Sequence, residues 1–182
     1  MKVLIDANVL YPTVMREVVL GVAAAGLFQP QWSDRILEEW ARAAARLGPE
    51  GEAQARGEIA LLSATWYRAN VRYPSELEQR LWLPDPADVH VLAAAIAGSS
   101  DIILTSNAKD FPRQILAEEG LSRADPDGFL LGCFEAQPGP VHAAAGSVLA
   151  EARRLSADDW TMRGLMKKAR LPRLGKALER HG

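Results

Sequence analysis

Two short apolar runs, VLI within Lys2–Ile5 and IIL within the stretch from Asp101 to Thr105, are β-branched, do not alternate with polar residues, and end abruptly. Such strands bury both faces, which places them inside a parallel sheet covered by helices. Open parallel sheets hold their ligands beyond the carboxyl ends of the strands. The polar residues that stop the two runs are therefore the first candidates for chemistry: Asp6 and Asn8 after one, Thr105, Ser106 and Asn107 after the other.

The chain between and around these runs reads as helices. One is expected from about Thr13, with Val14, Val18, Val22 and Ala25 on a stripe and Gly26 at its end. LFQPQW follows as a short extended piece weakened by Pro30. Ser33 is a good N-cap for a helix to about Leu47, the stretch GPEGE breaks the pattern, and a long helix fits roughly 52–69 before VRYP, a possible short strand. LPDPADVHVLAAAIAG has the clearest helix start, with Asp85 as cap, Pro86 at the first helical position and Asp88 in the first turn. Helices near 113–119 and 127–135 are joined by a connection containing LSRADP. QPGP at 137–140 marks a boundary, dividing the chain into a domain over 1–136 and a helical, basic C-terminal extension over 137–182. The strand, helix, strand rhythm is that of an α/β layered domain.

At 182 residues and 48% hydrophobic content the chain can bury a sizeable core without staples. A single cysteine, Cys133, excludes an intrachain disulfide and a cysteine metal cluster. The opening residues lack the basic-then-apolar layout of a secretion signal, and the first apolar run stops at Asp6, so no membrane span and a cytoplasmic location are expected. The charges are nearly balanced, with 21 basic against 23 acidic residues, but unevenly spread. From Thr161 to the end there are seven basic residues and one acid, leaving 14 basic and 22 acidic residues, or −8, elsewhere. Such a tail suits phosphate binding, and equally suits docking on the acidic body of its own chain.

Acids from distant segments can converge at the strand-end edge: Asp6, Asp88, and Glu38 or Glu39 near the start of the Ser33 helix. Several carboxylates with no cysteine and few histidines make a hard-ion site, suited to Mg²⁺ or Mn²⁺. Each acid also has a plain structural account. Asp6 and Asp85 can cap turns, Asp88 suits the helix dipole, and Asn107 with Asp110 can form an Asx-type turn. Glu38 and Glu39 flank the apolar stripe on opposite sides, so periodicity does not choose between them. His90, two residues past Asp88, is turned well around the helix from it and reads as structural or surface. The five tryptophans read as core or interface residues, although an exposed ring could stack a base.

LIDANVLYP, SDRILEEW and DPADVHVLAAAIAGSSDIILTSNAKDFP, in this order and spacing, resemble the PIN-domain ribonucleases, and more narrowly the VapC-like toxins of bacterial toxin and antitoxin pairs, over roughly 1–134. The resemblance implies a three-layer α/β/α domain with a central, mostly parallel sheet. It implies Asp6, Glu39 and Asp88 as catalytic, metal-binding acids, with Glu39 preferred because the family acid directly precedes a bulky apolar residue, here Trp40. Where the family commonly has an acid, this chain has Asn107, which offers a neutral carbonyl but no charge. Asp110 or Asp85 is expected to compensate, directly or through water, while Asn8, Thr105 and Ser106 support. The activity implied is Mg²⁺- or Mn²⁺-dependent hydrolysis of single-stranded RNA or a structured tRNA, by a homodimer controlled by a cognate antitoxin. Lys167, Lys168 and Arg170 are the candidate RNA phosphate contacts. The alternatives are a non-catalytic RNA-binding or regulatory module, a housekeeping RNA-processing enzyme, or a DNA nuclease.

Overall fold

A computed structural model describes residues 1–181. In chain order, β1 (Lys2–Ile5) leads into the single turn α1 (Ala7–Leu10) and then α2 (Thr13–Ala24). There follow β2 (Gln29–Gln31), α3 (Asp34–Ala45), α4 (Pro49–Thr65) and the short α5 (Glu76–Gln79). A 3-10 turn at Pro86–Asp88 opens α6 (Val89–Ala97), which precedes β3 (Ile102–Leu104). A second 3-10 turn at Ala108–Asp110 is followed by α7 (Arg113–Glu118) and β4 (Ser122–Ala124). The remaining helices are α8 (Pro126–Ala136), α9 (Pro138–Leu155), α10 (Met162–Lys168) and α11 (Pro172–His181).

Among the described residues the strands form one sheet in the order β2-β1-β3-β4, with every pairing parallel. The two unalternating runs occupy its middle, and Val3, Leu4, Ile5, Ile103 and Leu104 are fully buried. Pro30 has no N–H to give a ladder and lies in β2, an edge strand. The parallel sheet, its flanking helices and the added C-terminal helices are the α/β/α class expected from the sequence.

Three local differences have physical causes. LSRADP, read as a connection, contains β4: its Ser-Arg-Ala triplet carries no apolar pattern, and the exposed ladder of β3 pairs it, Ile102 with Ser122. GPEGE breaks the helices at Gly48, whose φ is 97°, but the next helix starts within it, Pro49 occupying the first helical position of α4, rather than near 52. VRYP stays outside the named strands; an isolated bridge of Trp32 with Asn70 ends the pairing there.

The chain packs as two compact units. The first holds Met1–Tyr11 and Gln29–Ala124, and so the sheet, α1 and α3 to α7. Within it α6 lies against β1 and β3 and is apolar nearly all round, Val91 to Ala95 having no exposed surface. The second unit holds Pro12–Phe28 with the chain from Asp125 on, and it is helical. Here α2 packs on α8 and α9, and α11 on α8 and α10. Phe28 meets Phe129 edge-on with ring centroids 5.1 Å apart. Gly21 permits the close approach of α2 to α9, since a Cβ there would lie 3.0 Å from Ala144 Cβ. QPGP forms the junction of two helices, Gln137 ending α8 and opening α9. No helix among the described residues is long and apolar enough to cross a membrane.

The buried Asp127 of α8 accepts hydrogen bonds from the Arg173 and Leu174 amides at 3.0 and 2.9 Å, satisfying two free donors at the start of α11. Asp127→Ala is expected to cost about 1–2 kcal/mol in urea unfolding and to speed amide exchange at Arg173 and Leu174. Unchanged stability and exchange would contradict this cap.

Candidate metal centre

Parallel register sets Ile5 beside Leu104, so Asp6 and Thr105 leave the sheet at the same edge, where the strand order reverses between β1 and β3. The Asp6 amide donates to the Leu104 carbonyl at 3.0 Å. Its carboxylate, in a residue only 4% exposed, accepts from the Ala7 amide at 2.7 Å, the Asn8 side-chain amide at 2.6 Å and the Thr105 hydroxyl at 2.7 Å. Asn8 reaches across as well, its carbonyl accepting from the Ser106 amide at 2.9 Å. The Asn107 amide donates to the Thr105 hydroxyl at 3.0 Å. Burial raises the Asp6 pKa above the ordinary carboxylate value; the Thr105 and Ala7 hydrogen bonds oppose the shift, as does His90, and the charge of Glu39 adds to it. Desolvation thus outweighs the hydrogen bonds.

The helix acids divide by direction. Glu38 turns outward into ion pairs with Arg56 at 3.0 Å and Arg42 at 3.3 Å. Glu39 acts electrostatically on both Asp6 and Asp88. Its Oε1 lies 2.7 Å from Nε2 of the wholly buried His90, although the alignment falls short of a full hydrogen bond. His90 is buried, in keeping with a structural place, on α6, while Asp88 closes the 3-10 turn that precedes it. No sequence pattern signals the contact of His90 with Glu39, which joins α6 to the acid of α3.

Asp88 has its pKa raised to about 6, first by burial and then by the charges of Asp6, Asp85, Asp110 and Glu39. Four other acids therefore act on Asp88 at this edge. Asp85, which caps the Ala87 amide at 2.9 Å, joins Asp88 and Asp110 in a cluster whose carboxylates each offer an oxygen within 4.8 Å of the others. Asn107 stands beside it as a donor, its side-chain amide 2.5 Å from Asp110 Oδ2. Asp88 Oδ2 is buried with no hydrogen-bond partner among the described residues. An all-oxygen donor set with one buried oxygen left unsatisfied fits a divalent hard cation. Ser106 is exposed. Lys167, Lys168 and Arg170 are exposed in the second compact unit, Lys168 Nζ lying 4.7 Å from the Trp160 ring centroid. Trp32 and Trp40 are core residues, whereas Trp82 is 66% exposed.

The sequence matches the family model described as "PIN domain" over residues 2–109, more than half of the chain. No curated protein and no solved structure matches it.

The raised pKa of Asp88 sets the sign of a pH effect on the metal-free protein. Between its ordinary value of 3.8 and about 6 the folded chain holds the Asp88 proton more tightly than the unfolded chain does. Stability from this group is therefore lost as pH rises through that window. With solvent screening of a partly exposed group, the effect is about 1 kcal/mol. In EDTA, Asp88→Asn is expected to be more stable than the parent by about that amount at pH 7 and to lose the advantage near pH 4. A variant less stable than the parent at pH 7 in urea unfolding would contradict the electrostatics.

Proposed function

This chain belongs to the PIN-domain family, and from that premise we propose that it is a divalent-metal-dependent endoribonuclease acting on single-stranded RNA or a structured tRNA. The observation that carries the reading is the cluster of Asp85, Asp88 and Asp110 with its unsatisfied Asp88 oxygen; Asp6 and Glu39 lie outside that cluster but near enough to act electrostatically on Asp88. Asp88 would be the main oxygen donor, with Asp110 supplying the charge that Asn107 lacks, Asp85 beside them, and Asp6 completing the set directly or through water. When bound, Mg²⁺ or Mn²⁺ supplies an acidified water and stabilises charge on the phosphodiester. Asn8 and Thr105 hold the Asp6 carboxylate in one orientation through their hydrogen bonds. Glu39 orients the attacking water, and Ser106 lies at the rim within reach of a substrate phosphate. Hydrolysis adds water across one P–O bond, leaving a phosphomonoester on one fragment and a hydroxyl on the other.

The narrower reading is a VapC-like toxin, cytoplasmic and homodimeric, restrained by a small cognate antitoxin. The ordered motifs LIDANVLYP, SDRILEEW and DPADVHVLAAAIAG support it. A second reading, a non-catalytic RNA-binding module, draws on Asn107, which removes one negative charge from the rim.

Labelled single-stranded RNA and DNA incubated with EDTA, Mg²⁺ or Mn²⁺ separate these readings. Metal-dependent RNA scission is expected, reduced about 100-fold or more by Asp6→Asn. RNA that stays intact but bound favours the binding module, and preferred DNA cleavage favours a DNA nuclease. Lys167, Lys168 and Arg170 are proposed to hold RNA phosphates. Replacing both lysines with alanine is expected to weaken binding and to flatten the slope of log K against log salt by about 1.4, roughly 0.7 for each phosphate that a lysine had neutralised. An unchanged slope would exclude them.

A further inference from the structure

We infer that His90 is a positioning residue for this centre, its imidazole holding the Glu39 carboxylate at the acidic rim. The inference rests on the metal-nuclease reading above and adds to it a residue outside the oxygen-donor set. His90 has no exposed surface, and its Nε2 lies 2.7 Å from Glu39 Oε1. Neither ring nitrogen has an aligned hydrogen-bond partner among the described residues, and Glu39, 2.7 Å away, is the polar group this buried imidazole approaches. Glu39 itself is a long side chain 37% exposed on the surface of α3. Such a side chain samples several rotamers unless something fixes it.

His90 sits on α6, the helix that Asp88 opens, and α6 is packed against the two central strands. A contact from so rigid a base ties the acid of α3 to the helix that carries Asp88. Both Glu39 and His90 act on the buried Asp6 carboxylate, one raising and one lowering its pKa, which places the pair beside the first acid too. Outer partners of this kind fix the orientation of carboxylates around a metal, and their loss weakens metal binding about 10–100-fold. An apolar side chain of similar volume would fill the same space and leave Glu39 unheld.

That difference supplies the test. Mn²⁺ binding is followed at constant pH by the EPR signal of free Mn²⁺, with thermal melting in EDTA run alongside to establish folding. His90→Leu is expected to weaken Mn²⁺ binding about tenfold, and His90→Gln, which restores a donor of suitable length, to recover most of it. In a Glu39→Gln background, His90→Leu should cause no further loss, because the two residues act as one unit. Should the leucine variant fail to fold, His90→Gln against the shorter His90→Asn carries the comparison, with only the latter weakened. Folded His90 variants that all bind Mn²⁺ like the parent overturn the inference, as does a loss that persists undiminished without Glu39, and either leaves the nuclease reading standing. A parent protein that binds no Mn²⁺ overturns that reading and the inference with it.

Discussion

The Thr105 hydroxyl and one side-chain amide of Asn8 reach the same oxygen of Asp6, closing a polar clamp between strand ends 99 positions apart. The clamp exists because β1 and β3 pair in parallel with Ile5 beside Leu104. A shift of one residue in that register would turn every side chain of the strand to the opposite face. Both faces of the strand are covered, so such a shift would mismatch the packing of Val3, Leu4 and Ile5 rather than expose them, and it would carry Asp6 about 3.3 Å along the sheet from Leu104. The core that selects the register also selects where Asp6 stands. The remaining acids are referred to this fixed point: Asp88 through the start of α6, Glu39 through α3, and Asp110 through the 3-10 turn that follows β3.

Gathering acids in this way works against the stability of the fold alone. Burial is the first cause of the raised pKa at both Asp6 and Asp88, and the charges of neighbouring acids are the further cause. A hydrogen bond to a charged group contributes about 1.5–3 kcal/mol, against an effective desolvation cost of several kcal/mol for a buried ion. The Asp6 pKa stays raised despite its three donors, so they moderate the cost without removing it. A cation that meets the unsatisfied oxygen of Asp88 would offset both the desolvation and the mutual repulsion. Such arrangements, in which local stability is given up at one edge of an otherwise consistent fold, are characteristic of functional sites.

Where the signal is periodicity or capping, the sequence carries the structure well. The unalternating strands, the Ser33 and Asp85 caps and the Gly26 stop depend on local preferences that any window of the chain displays. β4 is illegible because its three residues have no strand pattern and form a strand through the ladder that β3 presents. The Pro49 start of α4 reads as a break because two glycines flank it, and only Gly48 needs a left-handed backbone. At the site, Asp6, Glu39 and Asp88 stand out with help from a family resemblance, since helical phase alone leaves Glu38 and Glu39 equivalent. The ion pairs of Glu38 with Arg42 and Arg56 separate them in space, and Arg56 comes from another helix, which no local pattern encodes. The approach of His90 to Glu39 is hidden for the same reason, since it joins two helices distant in the chain.

Diffraction from crystals soaked in Mn²⁺, recorded at the manganese edge, tests the central claim that distant acids form one cation seat. The account predicts an anomalous peak with oxygens of Asp85, Asp88 and Asp110 around it at about 2.0–2.6 Å, and Asp6 and Glu39 facing the same peak directly or through water. No peak at that edge, or a peak that leaves Asp88 without a contact, would contradict it.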